Sequence, residues 1–205
     1  MVCRKASPPS CKSLRVRAVI FDMDGTITKF NLDIEGIKKE VFGDDYSGML
    51  LDGINKLKGE GRGRAENILI ESEISAANST ELNKGVEELL DFLKKKEIKT
   101  ALVTRNNREA VKVIFKRFGL RFDVVVSRED TPPKPNKAQL NAALDGLGVD
   151  KENALFIGDH ALDLEAGRRV GIRTVLIKSK FSQEVLEEAD FVVESMDDVT
   201  DIINN

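Results

Sequence analysis

The chain has 205 residues, 41% hydrophobic and 33% charged, which suits one medium domain or a core domain with an insert. Its net charge of −3, single Tyr and lack of Trp argue against a nucleic-acid partner, which needs a basic surface or aromatic stacking platforms. Cys3 and Cys11, the only cysteines, form neither a disulfide framework nor a zinc pattern, and no apolar run approaches the ~20 residues of a membrane span.

Residues 1–17 are basic, contain no acid and lack a secretory apolar region. Residues 1–14 are expected to be a disordered tail, with an overlong start or a transit peptide as the other readings. The expected location is cytoplasmic. Residues 15–21 read as a strand that ends abruptly in Asp22-Met23-Asp24-Gly25-Thr26. Two acids so close to a core strand cost folding free energy unless a cation, a ligand or hydrogen bonds compensate them.

Residues 29–83 differ in character. Ile34, Ile37, Lys38 and Val41 have helical spacing, as do Ile68, Leu69, Ser72 and Glu73, and Gly43, Gly48, Gly53, Gly59, Gly61 and Gly63 punctuate the stretch. This predicts a small helical insert. Within it, Gly61-Arg62-Gly63-Arg64 reads as a charged loop, and Arg62 and Arg64 are candidates for reaching an anionic substrate.

A regular alternation follows. Residues 85–96 form a predicted amphipathic helix with Val86, Leu89, Leu90 and Leu93 on one face. Residues 98–103 are a buried strand ending in Thr104. Asn106 or Asn107 caps a helix that stops at Gly119. Residues 122–126 are a strand, and Asn136 caps a helix to Leu147. Residues 154–157 are a strand leading to Gly158-Asp159, and 162–170 are a helix. Residues 174–177 and 191–193 are strands, with a short helix at 184–188 between them. Ser195 caps the last helix. Strands alternating with helices of this length predict an α/β fold, a Rossmann-like doubly wound parallel sheet.

In such a sheet ligands bind outside the carboxyl ends of the strands. Asp22, Thr104 and Asp159 all fall there, and Asp163 follows Asp159 by one helical turn. Lys134 lies in Thr131-Pro132-Pro133-Lys134-Pro135, where the prolines restrict its direction. Converging carboxylates imply a hard divalent cation, and Mg²⁺ suits a site with few protein ligands. A hydroxyl and a lysine beside it suit a phosphoryl group. Asp22 and Asp24, two apart on a strand end, point the same way. One can attack phosphorus while the other moves protons.

Asp22-Met23-Asp24-Gly25-Thr26, Thr104, Lys134-Pro135 and Gly158-Asp159-His160-Ala161-Leu162-Asp163 together resemble the four motifs of the haloacid dehalogenase superfamily, in order. The resemblance covers nearly all of residues 15–205. It implies a core of residues 15–28 and 84–205, with residues 29–83 as a helical cap like that of phosphoglycolate-phosphatase-like members. It implies Asp22 as nucleophile and Asp24 as general acid/base. It implies Mg²⁺ held by Asp22, the backbone carbonyl of Asp24 and Asp159, with Asp163 as ligand or support. Thr104 and Lys134 would hold the phosphoryl oxygens. Arg105 stands where Asn is common in the family, so Asn106, one residue on, becomes a candidate substrate contact. His160 replaces the usual Ser or Thr.

The expected activity is that of a Mg²⁺-dependent phosphatase acting on a small phosphorylated metabolite through an aspartyl phosphate. Alternatives are a phosphoglucomutase-type phosphotransferase and a non-catalytic phosphate-binding protein on the same fold. No membrane or nucleic-acid partner is expected, and monomer and homodimer remain open.

Overall fold

The computed structural model describes residues 15–179 and 182–204. The expectation for the tail, with Cys3 and Cys11, lies outside them. Six strands form one parallel sheet: β1 (Ala18–Phe21), β2 (Lys99–Val103), β3 (Val124–Val126), β4 (Ala154–Gly158), β5 (Arg173–Ile177) and β6 (Phe191–Val193). Their order is β3-β2-β1-β4-β5-β6, the doubly wound arrangement in which strand order reverses beside β1. Eight α-helices accompany them among the described residues: α1 (Ile34–Phe42), α2 (Leu50–Lys56), α3 (Gly59–Ser79), α4 (Val86–Lys95), α5 (Arg108–Phe118), α6 (Ala138–Leu147), α7 (Ala161–Val170) and α8 (Asp197–Asn204). None is long and apolar enough to cross a membrane.

The chain forms two compact units. Among the described residues, the first comprises those up to Lys29, Glu81–Arg105 and those from Arg121 on, and it holds the whole sheet. All four residues of β1 are buried, as a central parallel strand covered on both faces requires. On one face Ala18, Ile20, Ala101, Val103 and Phe156 pack with Leu140, Leu144 and Leu147 of α6 and Val170 of α7. Each large apolar side chain buried this way contributes roughly 1.5–3 kcal/mol. Helix α4 packs on β2 and α8, burying Val86, Leu89 and Leu93.

The second unit is Phe30–Thr80 with Asn106–Leu120. Ile37, Leu50, Ile54, Ala65 and Leu69 form its core. It takes in α5 as well as the helices of the insert, because α3 and α5 pack together. Buried Glu73 on α3 accepts from the Asn107 backbone N–H (3.1 Å) and from Asn107 Nδ2 (2.5 Å), while Asn107 Oδ1 caps α5 by accepting from the Ala110 N–H (2.9 Å).

Three sequence expectations change here. Gly61-Arg62-Gly63-Arg64 is not a loop but the opening turns of α3. Each glycine costs a helix roughly 1 kcal/mol. Burial of Ala65 and Leu69 and the Arg62–Glu66 pair one turn apart (2.7 Å) offset that cost. The predicted helix at 184–188 is a single 3-10 turn, Leu186–Glu188. The last helix begins at Asp197, and Asp198 accepts the Ser195 backbone N–H (3.1 Å), so Asp198 organises that turn.

Candidate functional site

Strand register decides which residues meet. Phe21 of β1 lies beside Leu102 of β2 and Ile157 of β4. One step past Phe21 is Asp22, two steps past Leu102 is Thr104, and two steps past Ile157 is Asp159. All three therefore leave the sheet together at its carboxyl end, beside the reversal of strand order. The Asp22 N–H still donates to the Ile157 carbonyl (2.9 Å), and the Thr104 N–H to that of Val126 (3.0 Å).

Asp22, Asp159 and Asp163 are buried and bring carboxylate oxygens within 4.8 Å of one another. Asp163 is placed by the start of α7. Its Oδ2 accepts the His160 backbone N–H (3.1 Å), and His160 Nδ1 accepts the Leu162 N–H (3.1 Å). The N-cap is thus His160, and Asp159 stays in the turn before the helix with its carboxylate in the cluster. Glycines permit the close approach. A Cβ on Gly25 would lie 2.2 Å from Asp159 Oδ2, and one on Gly158 would lie 2.5 Å from Asp163 Oδ2.

Lys134 enters from the loop between β3 and α6 and is only 2% exposed. Its ammonium donates to Asp22 Oδ1 and to Asp163 Oδ1 (2.7 Å), and it lies 5.3 Å from the centre of the Phe156 ring. One ammonium against three carboxylates leaves an excess of negative charge. Burial pushes the Asp22 carboxyl up to about 6, with Lys134 opposing and Asp163 adding. Burial, then repulsion from Asp22 and Asp163, pushes Asp159 up to about 8. Burial alone would lower the Lys134 pKa, but Asp163 and Asp22 outweigh it and hold the lysine above its ordinary value. Burial lowers that of His160, which fits a neutral ring accepting at Nδ1. Buried carboxylate oxygens with uncompensated negative charge are a donor set that fits a hard divalent cation.

Asp24 is placed differently from Asp22. The strand ends at Phe21, so side-chain alternation does not run on to Asp24 as expected. Its half-buried carboxylate lies outside the three-carboxylate cluster, 3.5 Å from Thr28 Oγ1. Asn106, Arg62 and Arg64 belong to the second unit, where Arg62 is engaged by Glu66 and Arg64 is exposed.

Sequence reasoning missed three supporting residues. Asn83 Nδ2 donates to the carbonyls of Gly25 (2.9 Å), Thr26 (2.8 Å) and Thr28 (3.2 Å), bracing the turn that carries Asp24. Ser179 Oγ donates to the Asp159 carbonyl (3.2 Å). Neither residue carries a local signal. Gln139 does: it repeats at helical spacing with Ala143 and Leu147, a polar residue on an apolar stripe.

A family profile described as "Hydrolase: haloacid dehalogenase-like hydrolase" matches residues 16–171. A haloacid dehalogenase-like hydrolase domain-containing protein of Arabidopsis thaliana is 28% identical over 207 residues, covering 92% of this chain and 84% of its own. Pyrophosphatase PpaX of Halalkalibacterium halodurans is 28% identical over 213 residues, covering 93% and 98%. Phosphoglycolate phosphatase of Aquifex aeolicus is 27% identical over 211 residues, with the same coverage of 93% and 98%. Among solved structures, a hydrolase from Pseudomonas syringae superposes with a TM-score of 0.77 at 22% identity, covering 92% of this chain and 98% of its own. CbbY from Rhodobacter sphaeroides in complex with phosphate superposes with a TM-score of 0.73 at 20% identity, covering 93% and 100%. These two show a shared fold.

Proposed function

The chain belongs to the haloacid dehalogenase-like hydrolase family, and from that premise we propose that it hydrolyses a small phosphorylated metabolite through a phosphorylated Asp22. The observation that carries this reading is the buried group of Asp22, Asp159 and Asp163 with Lys134 bridging two of them, at the carboxyl end of β1 and β4. Asp22, Asp159 and the backbone carbonyl of Asp24 would hold Mg²⁺, with Asp163 as ligand or support. When bound, the cation offsets the negative charge of the site and polarises the phosphoryl group.

Asp22 attacks phosphorus, and the bond to the leaving oxygen breaks. Asp24 gives that oxygen its proton. In the second half Asp24, now a carboxylate, takes a proton from water as the water attacks phosphorus. The Asp22–phosphorus bond breaks and inorganic phosphate leaves. Thr104 and Lys134 hold the phosphoryl oxygens in both halves, where fixed donors in a buried site stabilise the charge that develops. Asp24 stands outside the carboxylate cluster and is half-exposed, which suits a group that meets both leaving oxygen and water. PpaX and phosphoglycolate phosphatase, by their names, act on pyrophosphate and phosphoglycolate, so these are the first natural substrates to assay.

The test is phosphate release from p-nitrophenyl phosphate and a panel of metabolites. Turnover should require Mg²⁺, stop with EDTA and return when the cation is restored. Asp22→Asn should lose about a thousandfold or more. Equal turnover with and without that substitution would overturn the assignment.

A further inference from the structure

Gln139, in the first turn of α6, has no exposed surface, and both ends of its amide are used. Its Nε2 donates to the Thr104 carbonyl (2.8 Å) and to the Ser127 carbonyl (3.0 Å), at the ends of β2 and β3. Its Oε1 accepts the backbone N–H of Lys134 (3.1 Å). Two N–H donors meet two carbonyls, and one amide oxygen meets one N–H. A buried amide is tolerated in an apolar core only when satisfied in this way.

The loop sequence sharpens the point. In Pro132-Pro133-Lys134-Pro135, three residues have no backbone N–H. The Lys134 N–H is the sole main-chain donor of this stretch, and Gln139 takes it. The same amide is oriented by the two strand-end carbonyls. The backbone of Lys134 is thereby tied to the sheet edge that carries Thr104, rather than to its own loop. Its buried ammonium, reaching Asp22 and Asp163, starts from that fixed point.

We propose that Gln139 is a positioning residue for phosphoryl transfer, acting through Lys134: its amide holds the Lys134 backbone so that the ammonium stands over Asp22. This rests on the reading of Lys134 as a phosphoryl-binding group, given above. Both ends of the Gln139 amide are used on backbone groups, so its effect on chemistry is conveyed by placement. Small displacements of a charged group in a buried site are costly to rate, up to about a hundredfold for 1 Å.

The experiment is a double-mutant cycle on the full chain with Mg²⁺ and p-nitrophenyl phosphate, using Gln139→Met, Lys134→Ala and both together. Gln139→Met alone should lower kcat/KM by about tenfold to a hundredfold and weaken inhibition by inorganic phosphate. In the Lys134→Ala background it should change kcat/KM by less than about twofold. Equal losses in both backgrounds would overturn the role of Gln139 and leave that of Lys134 intact. Undiminished activity of Lys134→Ala would overturn the reading of Lys134 and the proposal with it. Hydrogen exchange on the unaltered protein supplies a check that needs no variant to fold. The Lys134 amide, the only one in residues 132–135, should exchange as slowly as those of the strands, and rapid exchange there would overturn the proposal.

Discussion

Asp22 and Asp24 are two residues apart and live in different surroundings. Asp22 is buried against Lys134, Asp159 and Asp163, whereas Asp24 is half-buried in the turn braced by Asn83. In the proposed roles the nucleophile must be ionised, which burial opposes at Asp22 and Lys134 favours, while the more exposed Asp24 cycles its proton. A specific outcome follows for Asp24→Asn. With p-nitrophenyl phosphate, whose leaving group needs no proton, the first step survives while water attack is slowed. The variant should release a burst of about one nitrophenol per site and then turn over slowly. With an alkyl phosphate such as phosphoglycolate there should be no burst, and the rate should fall by about 10²- to 10⁴-fold. Stopped-flow absorbance and phosphate assays check both. A loss of equal size on the two substrates, without a burst, would remove Asp24 from leaving-group protonation.

At the scale of elements, α3 shows where local reading fails. Its glycines signal a loop, yet the helix runs unbroken from Gly59 to Ser79 because Ala65, Leu69, Glu73 and Ala77 find buried positions. That information lies in tertiary packing, which overrides propensity. The strands were legible because each is a short apolar run, and three of them lead into Asp22, Thr104 and Asp159. The helix stop at Gly119, where the backbone is left-handed, was legible from the glycine itself. The carboxylate cluster was legible through Asp22, Asp159 and Asp163. The cap by His160 was not, because histidine at that position carries no strong preference. Gly61 and Gly63 provide the test. Neither takes a left-handed backbone, and a Cβ on either would meet nothing within 4 Å. Gly61→Ala and Gly63→Ala should therefore each stabilise the protein by about 0.5–1 kcal/mol in denaturant unfolding. Destabilisation would mean that this stretch is not helical in solution.

For the molecule as a whole, the carboxylate cluster ties folding to pH and, under the proposed function, to a cation as well. In the cation-free protein the folded state holds Asp22 and Asp159 protonated to about 6 and about 8, above their ordinary value of 3.8. Wherever the folded state binds more protons than the unfolded chain, stability falls as pH rises. Between about pH 6.5 and 8 the lowered pKa of His160 leaves it largely neutral, so Asp159 dominates the slope. In EDTA the Tm should fall across that window. Saturating Mg²⁺ should raise it and flatten the slope, because a cation that binds only the folded state replaces the protons. A Tm in EDTA that does not move across the window would contradict the charge assignment. The central claim, covalent phosphoryl transfer at Asp22, is tested most directly by quenching the enzyme in acid during turnover with Mg²⁺ and mapping phosphate on its peptides by mass spectrometry. The account predicts one phosphoryl group on the peptide containing Asp22 and none in Asp22→Asn. Phosphate on a different residue would contradict it, and so would an unlabelled enzyme whose Asp22→Asn variant keeps full activity.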